Sequence, residues 1–260
     1  TEGLSYARDR KQFGKAIIEF PAVYDMLALM KARLDAGRAL LYQTSRYVDI
    51  YKALDDIARD RKLTPEERQE SKTFSRLADS FTPLAKGMNS EYANQNAYDC
   101  IQIHGGSGYM LEYACQRIYR DARITSIYEG TTQLQVVAAI RYVTNGFYLQ
   151  TLRDFEAVEC SEEMKPLKAR IAAMTDKFDK AVTYVKETEN QEFVDFCARH
   201  LVEMAADCVM AHLLVQDATR APELFAKSAR VYVNYVEAEV EKHAAFVASI
   251  TPDSLADYRK

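Results

Sequence analysis

The chain has 260 residues, of which 48% are hydrophobic and 28% charged, the profile of a globular protein with a sizeable core. Its 34 basic and 38 acidic residues leave a net charge of −4, which argues against non-specific nucleic-acid binding, because that binding needs basic surface. No apolar run approaches the ~20 residues needed to cross a bilayer, and charges interrupt the first thirty residues. We therefore predict neither a membrane span nor a signal peptide.

The cysteines and histidines give little sign of a disulfide framework or a metal site. The 5 cysteines are odd in number and lack CxxC spacing, which favours a reducing compartment. None of the 4 histidines follows a glutamate by three residues, so the Glu-x-x-His pairs of di-iron bundles are missing and no metal site is predicted. The chain opens with Thr1 inside what resembles the end of a helix, so we expect a fragment of a longer protein.

Only 9 glycines and 6 prolines punctuate the chain, so long helices are expected. Apolar positions at spacings of three and four predict a first long helix over residues 21–53, followed by a polar connection over 54–70. Thr64 and Pro65 can open a second helix from about 65 or 70 to 103, which Pro83 should kink or interrupt. It should stop at His104-Gly105-Gly106.

The second half of the chain repeats the helical pattern. Thr132 and Gln135 form a capping-box pattern for a helix that starts at Thr131 or Thr132 and ends near Gly146. Further helices are predicted over residues 111–119, 164–185, 190–219 and 222–249. No segment alternates with period two for long, so strands are not expected. The predicted fold is all-α: a helical bundle over 1–147 and an additional helical domain over 148–260.

Glycines and charges gather in three short segments where helices end. These segments are Arg10–Gly14, Gln102–Tyr109 and Tyr128–Gln133. Each has a plain structural interpretation: a helix end capped by Gly14, a flexible turn between helices, and an acidic cap at a helix N-terminus.

Together, the three segments resemble the carboxyl-terminal helical domain of the flavin-dependent acyl-CoA dehydrogenases. Arg10 to Gly14 is similar to the family's RxxFG segment, Gln102 to Gly108 to its QxxGGxG segment, and Arg120 through Gln133 to its RDxxIxxIYEGT stretch. The resemblance covers residues 1–147. The remaining residues resemble the carboxyl-terminal helices of the larger bacterial and very-long-chain members.

The resemblance implies a reaction. Glu129 matches the base that removes the α-proton of an acyl-CoA, after which the β-hydrogen leaves as hydride to N5 of FAD and the product is a trans-2-enoyl-CoA. A carboxylate in water is a weak base, so the chemistry needs substrate and flavin to exclude water. The backbone N–H of this glutamate is expected to polarise the thioester carbonyl.

The same resemblance assigns further contacts. The residues expected to contact FAD are Arg10, Gln12, Phe13, Gln102, Gly105, Gly106, Thr131 and Gln133. Those expected on the substrate side are Tyr128, Gly130 and Arg141, although an exposed helix arginine explains Arg141 nearly as well. Because the first two segments would contact a flavin held by a neighbouring subunit, a homodimer or homotetramer is expected.

The resemblance also implies partners and leaves alternatives. We expect an enzyme of fatty acid β-oxidation, located in the bacterial cytoplasm or the mitochondrial matrix, that passes electrons to an electron-transfer flavoprotein; this fragment alone should be inactive. The alternatives are an acyl-CoA oxidase and a catalytically silent helical module for oligomerisation or interaction. Some members place the base on an earlier helix, upstream of Thr1, and Pro21 stands where many relatives have a glutamine.

Overall fold

The computed structural model describes residues 1–259 and is almost entirely helical within them. The described α-helices are α1 (Glu2–Asp9), α2 (Pro21–Asp60), α3 (Pro65–His104), α4 (Ala114–Thr125), α5 (Thr132–Thr144), α6 (Phe147–Ala157), α7 (Lys165–Glu187), α8 (Gln191–Arg220) and α9 (Pro222–Ser249). The all-α prediction is confirmed. No helix among these residues has an apolar stretch long enough to cross a membrane.

Helices α2 and α3 have 40 residues each and are joined by a short turn over residues 61–64. The predicted polar connection over 54–70 is wrong, because α2 continues to Asp60 with Leu54 buried and its charged residues on the outside. Thr64 opens α3 with a complete capping box, in which its hydroxyl accepts from the Glu67 N–H at 3.2 Å. Arg61 holds the Glu67 carboxylate with two bonds, and these lower the pKa of Glu67 to about 2.

Pro83 lies inside α3 and does not interrupt it, contrary to one of the two predicted outcomes. A proline removes one backbone donor and disturbs the carbonyls of the preceding turn. The Tyr148 hydroxyl of α6 donates to the Ser80 carbonyl at 2.6 Å. This bond from a neighbouring helix supports the backbone of the turn that precedes Pro83.

Two short strands, β1 (Lys11–Gln12) and β2 (Lys15–Ala16), form an antiparallel hairpin after α1. The expectation of no strands is therefore wrong, as is that of Gly14 as a helix cap. Phe13 and Gly14 occupy the turn with φ of 51° and 84°, and such pairs of positive φ values are typical of tight hairpin turns. Helix α1 already ends at Asp9.

The boundaries of α4 and α5 also differ from the predictions. Helix α4 begins at Ala114 and runs to Thr125, so the predicted 111–119 helix is displaced and the segment Arg120–Arg123 is helical. Helix α5 is capped by Thr131, whose hydroxyl accepts from the Leu134 N–H at 3.3 Å. The predicted Thr132–Gln135 box does not form, because Thr131 is the N-cap and Thr132 is already the first helical residue; the Thr132 hydroxyl instead donates to Glu91 on α3.

One continuous core joins the two halves of the chain. Its fully buried members come from both sides of residue 147, and include Leu40, Phe81, Tyr148, Phe178, Leu201 and Val233. A second, small core of Ala7, Ile17 and Ile103 fastens α1 and the hairpin to the end of α3. The division at 147/148 stays a prediction, since residues on both sides of it share one core.

Candidate active site and cofactor-binding cleft

Glu129 lies in the short loop between α4 and α5 with an exposed side chain. Its φ is 52° and that of Gly130 is 96°, so two successive residues adopt left-handed backbone. This conformation is costly for a residue with a Cβ and common for glycine. Among residues 1–259, the Glu129 N–H donates to no acceptor. The loop therefore presents a carboxylate and a free backbone donor from the same residue.

The loop is held by side chains of α3 and α5. The Lys86 ammonium donates to the carbonyl of Gly130, and the Gln135 amide reaches the same oxygen at 3.4 Å. On the other side of the loop, Glu91 accepts from the Thr132 hydroxyl at 2.6 Å. The sequence patterns did not single out Lys86 or Glu91, because both lie some forty residues before the loop that they hold.

Thr131 and Gln133 lie at the N-terminus of α5, on the wall of a polar groove of about 620 Å³. The groove is also lined by three arginines and two carboxylates: Arg33, Arg123, Arg199, Glu91 and Asp99. Arg33 and Asp99 form an ion pair at 2.8 Å. The groove thus offers hydrogen-bond donors of both helix and side-chain origin beside the Glu129 loop.

Six predicted FAD contacts line one cleft of about 420 Å³ at the carboxyl-terminal end of α3. They are Arg10, Gln12, Phe13, Gln102, Gly105 and Gly106. The structure therefore brings the first two sequence segments together and places the third, with Glu129, elsewhere.

The two glycines of the cleft leave its wall open. A Cβ built on Gly105 or Gly106 meets no atom within 4 Å, so their bare backbone faces free space. Gly108 is different, because a Cβ there lies 2.8 Å from the Ile101 carbonyl oxygen and from the His104 Cβ. Gly108 is required by packing, whereas Gly105 and Gly106 leave room for a ligand close to the backbone.

The cleft has an aromatic edge and an aromatic floor. Phe13 is 91% exposed at the hairpin turn, 6.2 Å from the Phe20 ring. The floor is His104, which stacks on Tyr6 at 4.2 Å and bonds the Cys100 carbonyl through Nδ1 at 2.7 Å. Burial raises the pKa of the neighbouring Cys100 thiol to about 11, so that it stays protonated at neutral pH. The sequence patterns did not identify Tyr6, whose hydroxyl donates to Ser107 at 3.3 Å.

The predicted substrate-side residues are only partly brought together. Tyr128 and Gly130 flank Glu129, and the Tyr128 side chain is half exposed. Arg141 lies near the far end of α5, where its guanidinium donates to the Tyr142 hydroxyl at 2.8 Å. It lines neither the groove nor the cleft.

A buried polar cluster joins the two halves behind the groove. The Tyr92 hydroxyl lies 2.8 Å from the Tyr232 hydroxyl and donates to Asp207 at 3.3 Å. Burial, with the nearby carboxylates as a smaller cause, raises the pKa of Asp207 well above its ordinary value. Asp207 is thus a carboxyl group for which the folded protein favours the neutral form.

Comparison with protein families places both halves of the chain. Residues 1–141 match the family described as "Acyl-CoA dehydrogenase, C-terminal domain", and residues 144–255 match "Acyl-CoA dehydrogenase C terminal". The first match spans the Glu129 loop and all residues of the cleft.

Among curated proteins, the chain is 35% identical over 134 residues to the CarC subunit of the caffeyl-CoA reductase–Etf complex of Acetobacterium woodii, covering 52% of this chain and 29% of that protein. It is 40% identical over 142 residues to 3-methylmercaptopropionyl-CoA dehydrogenase of Ruegeria pomeroyi, covering 51% of this chain and 22% of that protein. The matches thus span less than a third of these relatives.

Solved structures share the fold over nearly the whole chain. An acyl-CoA dehydrogenase from Bacillus anthracis, complexed with FAD, superposes with a TM-score of 0.73 at 22% identity, over 98% of this chain and 47% of that one. Acyl-CoA oxidase 3 from Yarrowia lipolytica gives a TM-score of 0.73 at 14% identity, over 98% and 42% of the two chains. At these identities the likeness shows the fold alone.

Proposed function

The chain belongs to the acyl-CoA dehydrogenase family, and on that premise we propose that it supplies the catalytic base of a flavoenzyme that oxidises acyl-CoA to trans-2-enoyl-CoA. The observation that carries this proposal is the Glu129 loop. An exposed carboxylate and a free N–H of the same residue stand just before the N-terminus of α5. A thioester needs both groups: one to take the α-proton and one to stabilise the developing charge on the carbonyl oxygen.

Glu129 accepts the α-proton on its carboxylate, and its own N–H donates to the thioester oxygen. This donor is already directed by the left-handed backbone, so no reorganisation is needed when charge develops on that oxygen. The loop is open to water in the chain alone, and docking of substrate and flavin excludes that water, which strengthens a carboxylate as a base. Tyr128 and Gly130 border the thioester, and Arg141 contacts the CoA moiety further along α5.

The residues of the cleft fit FAD. FAD, when bound, supplies the acceptor for the β-hydrogen. Arg10 can hold phosphate oxygens with a bidentate guanidinium, and the open backbone at Gly105 and Gly106 allows the cofactor to come close. Gln12, Gln102 and the exposed Phe13 ring would complete this contact. Thr131 and Gln133 line the groove beside Glu129 and would contact a second flavin there.

The two groups of FAD contacts lie apart, so we propose that each belongs to a different flavin in a homodimer or homotetramer. The Etf complex named for the Acetobacterium woodii relative supports an electron-transfer flavoprotein as the electron acceptor. An acyl-CoA oxidase stays the alternative, because it would use the same base and the same flavin contacts and differ in the access of oxygen. A role in fatty acid β-oxidation and a cytoplasmic or mitochondrial location stay predictions.

Bleaching of flavin absorbance by acyl-CoA tests the proposal in the flavin-loaded protein that contains this chain. A dehydrogenase bleaches with and without oxygen and recovers its colour with an electron-transfer flavoprotein. An oxidase recovers rapidly in air and releases hydrogen peroxide. A protein whose flavin absorbance is unchanged by a series of acyl-CoA thioesters of different chain lengths is a silent module, and this result overturns the proposal.

A further inference from the structure

Lys86 lies half-buried on α3 and makes its polar contact with the loop that carries Glu129. Its ammonium donates to the carbonyl of Gly130, which is 44 residues later in the chain. The same ammonium lies 6.0 Å from the centre of the Tyr128 ring, within the range of a cation–π contact. One side chain therefore touches both neighbours of Glu129.

The backbone at Glu129 needs such support. Glu129 is left-handed with φ of 52°, a conformation that is unfavourable for a residue with a Cβ. Gly130 follows it, and a glycine can rotate into several other conformations at little cost. Without an anchor at the Gly130 carbonyl, the peptide groups on both sides of that glycine can rotate and carry Glu129 with them.

The remaining contacts of the loop do not replace Lys86. The Gln135 amide lies 3.4 Å from the Gly130 oxygen, at the long limit of a hydrogen bond, and it is neutral. Charged donors form bonds about twice as strong as neutral ones. The Thr132 hydroxyl donates to Glu91, and the Thr132 N–H donates to the Ser126 carbonyl at 3.1 Å. Both bonds hold the first residue of α5, beyond the glycine that needs restraint.

We propose that Lys86 is a positioning residue for Glu129: its bond to the Gly130 carbonyl holds the loop in the geometry in which the carboxylate and the N–H face one thioester. The proposal rests on the function proposed for Glu129. Because Lys86 acts on the loop and not on the CoA moiety, its loss should lower the rate of the chemical step far more than it weakens substrate binding. Misplacement of a catalytic group by about 1 Å can cost ~100-fold in rate.

Three variants isolate this role. Lys86→Met removes the ammonium and keeps the length of the side chain, whereas Lys86→Arg keeps a charged donor. Lys72→Met is the matched control, because Lys72 is an exposed lysine of the same helix that lies away from the loop. If Lys86→Met lowers the melting temperature by more than a few degrees, Lys86→Gln provides the same comparison with a polar side chain.

The first measurement is amide hydrogen exchange of residues 126–133 in this chain, and the second is rapid-mixing reduction of flavin by acyl-CoA in the flavin-loaded protein. For Lys86→Met we expect faster exchange in this segment and ~10- to 100-fold slower reduction, with the substrate dissociation constant changed less than about threefold. Lys86→Arg should recover most of the rate, and Lys72→Met should match the wild type.

Two results overturn the proposal: a reduction rate in Lys86→Met equal to that in Lys72→Met, or a loss that lies wholly in the dissociation constant. Failure of the proposed function is a separate result. If Glu129→Gln reduces its flavin at the wild-type rate, Glu129 is not the base, and the exchange data alone then decide whether Lys86 holds the loop.

Discussion

Arg10 illustrates how a residue-scale assignment can be tested apart from folding. Its side chain is exposed at the end of α1 and lines the cleft with Gly105 and Gly106. If it holds phosphate oxygens of FAD, Arg10→Ala removes charge-assisted hydrogen bonds worth about 1.5 to 3 kcal/mol, which corresponds to roughly 10- to 150-fold weaker flavin binding. Flavin occupancy after dilution, measured by absorbance, provides the comparison.

Arg8→Ala is the control for that experiment, because Arg8 is an exposed arginine in the last turn of the same helix and does not line the cleft. Both substitutions remove a favourable interaction with the helix dipole, at a cost of a few tenths of a kcal/mol to about 1 kcal/mol in stability. Equal flavin occupancy in the two variants and the wild type would show that Arg10 has only a structural role at the end of α1.

At the residue scale, the sequence singled out candidate residues but did not predict the backbone conformation at them. The order and spacing of the three segments identified Glu129, Arg10 and the paired glycines, and the structure places all of them on open surface. The spacing of residues along the chain carries no information on the sign of the φ angle, so the positive φ values at Phe13 and Glu129 were not predicted. Lys86 escaped notice because its partner lies 44 residues away and is a backbone carbonyl.

The carboxyl-terminal end of α3 depends on the backbone conformation of one glycine, Gly105. Gly105 caps α3 with φ of 60° and ψ of −142°, a conformation that side chains with a Cβ rarely adopt. Gly105→Ala should lower the free energy of unfolding by about 1 to 3 kcal/mol, measured by denaturant titration of the flavin-free chain.

Gly106→Ala serves as the comparison, because φ of Gly106 lies outside the left-handed range and a Cβ there meets nothing within 4 Å. Its free energy of unfolding should stay within about 0.5 kcal/mol of the wild type. Equal losses in the two variants show that the backbone angle of Gly105 is not what makes it necessary.

The prediction of elements worked best where one helix face is continuously apolar. The predicted helix over 164–185 is observed as α7 (Lys165–Glu187), and its stripe from Leu167 to Val185 is buried. The predictions were wrong where tertiary contacts set the boundary. Helix α4 extends through Ala122, whose carbonyl accepts from Asn94 of α3, and the hairpin after α1 is fixed by two residues of positive φ.

At the scale of the whole molecule, polar groups as well as the shared core connect the two halves. Arg33 of α2 pairs with Asp99 and donates to Tyr235 of α9, and Asp35 accepts from the Ser228 hydroxyl of α9 at 2.5 Å. The spacing of apolar residues predicted the helices of both halves, but the Arg33–Tyr235 and Asp35–Ser228 pairs are each separated by about two hundred residues in the chain. No local pattern encodes such a pairing.

Because of Asp207, the free energy of unfolding is expected to depend on pH. Its pKa is raised in the folded protein, so the folded state retains a proton that the unfolded chain loses, and stability falls as pH rises above about 4. Asp207→Asn keeps an acceptor for Tyr92 and cannot ionise. The free energy of unfolding of the variant relative to wild type should therefore increase with pH, by up to about 1.4 kcal/mol per unit.

Denaturant titrations of both proteins between pH 4.5 and 8 measure this difference. The charged groups that face Asp207, which are Glu203, Glu239 and Lys242, are present in both proteins, so the two proteins differ only in the group at position 207. A difference that stays constant or shrinks as pH rises shows that Asp207 is ionised in the folded protein.

The role of Glu129 as catalytic base is the central claim, and Glu129→Gln tests it most directly. The substitution keeps the volume of the side chain and the backbone N–H, so flavin content and acyl-CoA binding should survive while proton removal does not. The rate of flavin reduction by acyl-CoA, measured by rapid mixing, should be ~100- to 10,000-fold lower than in the wild type. If Glu129 is only an acidic group before α5, the variant loses a little stability and reduces its flavin at nearly the wild-type rate, and that result places the base elsewhere.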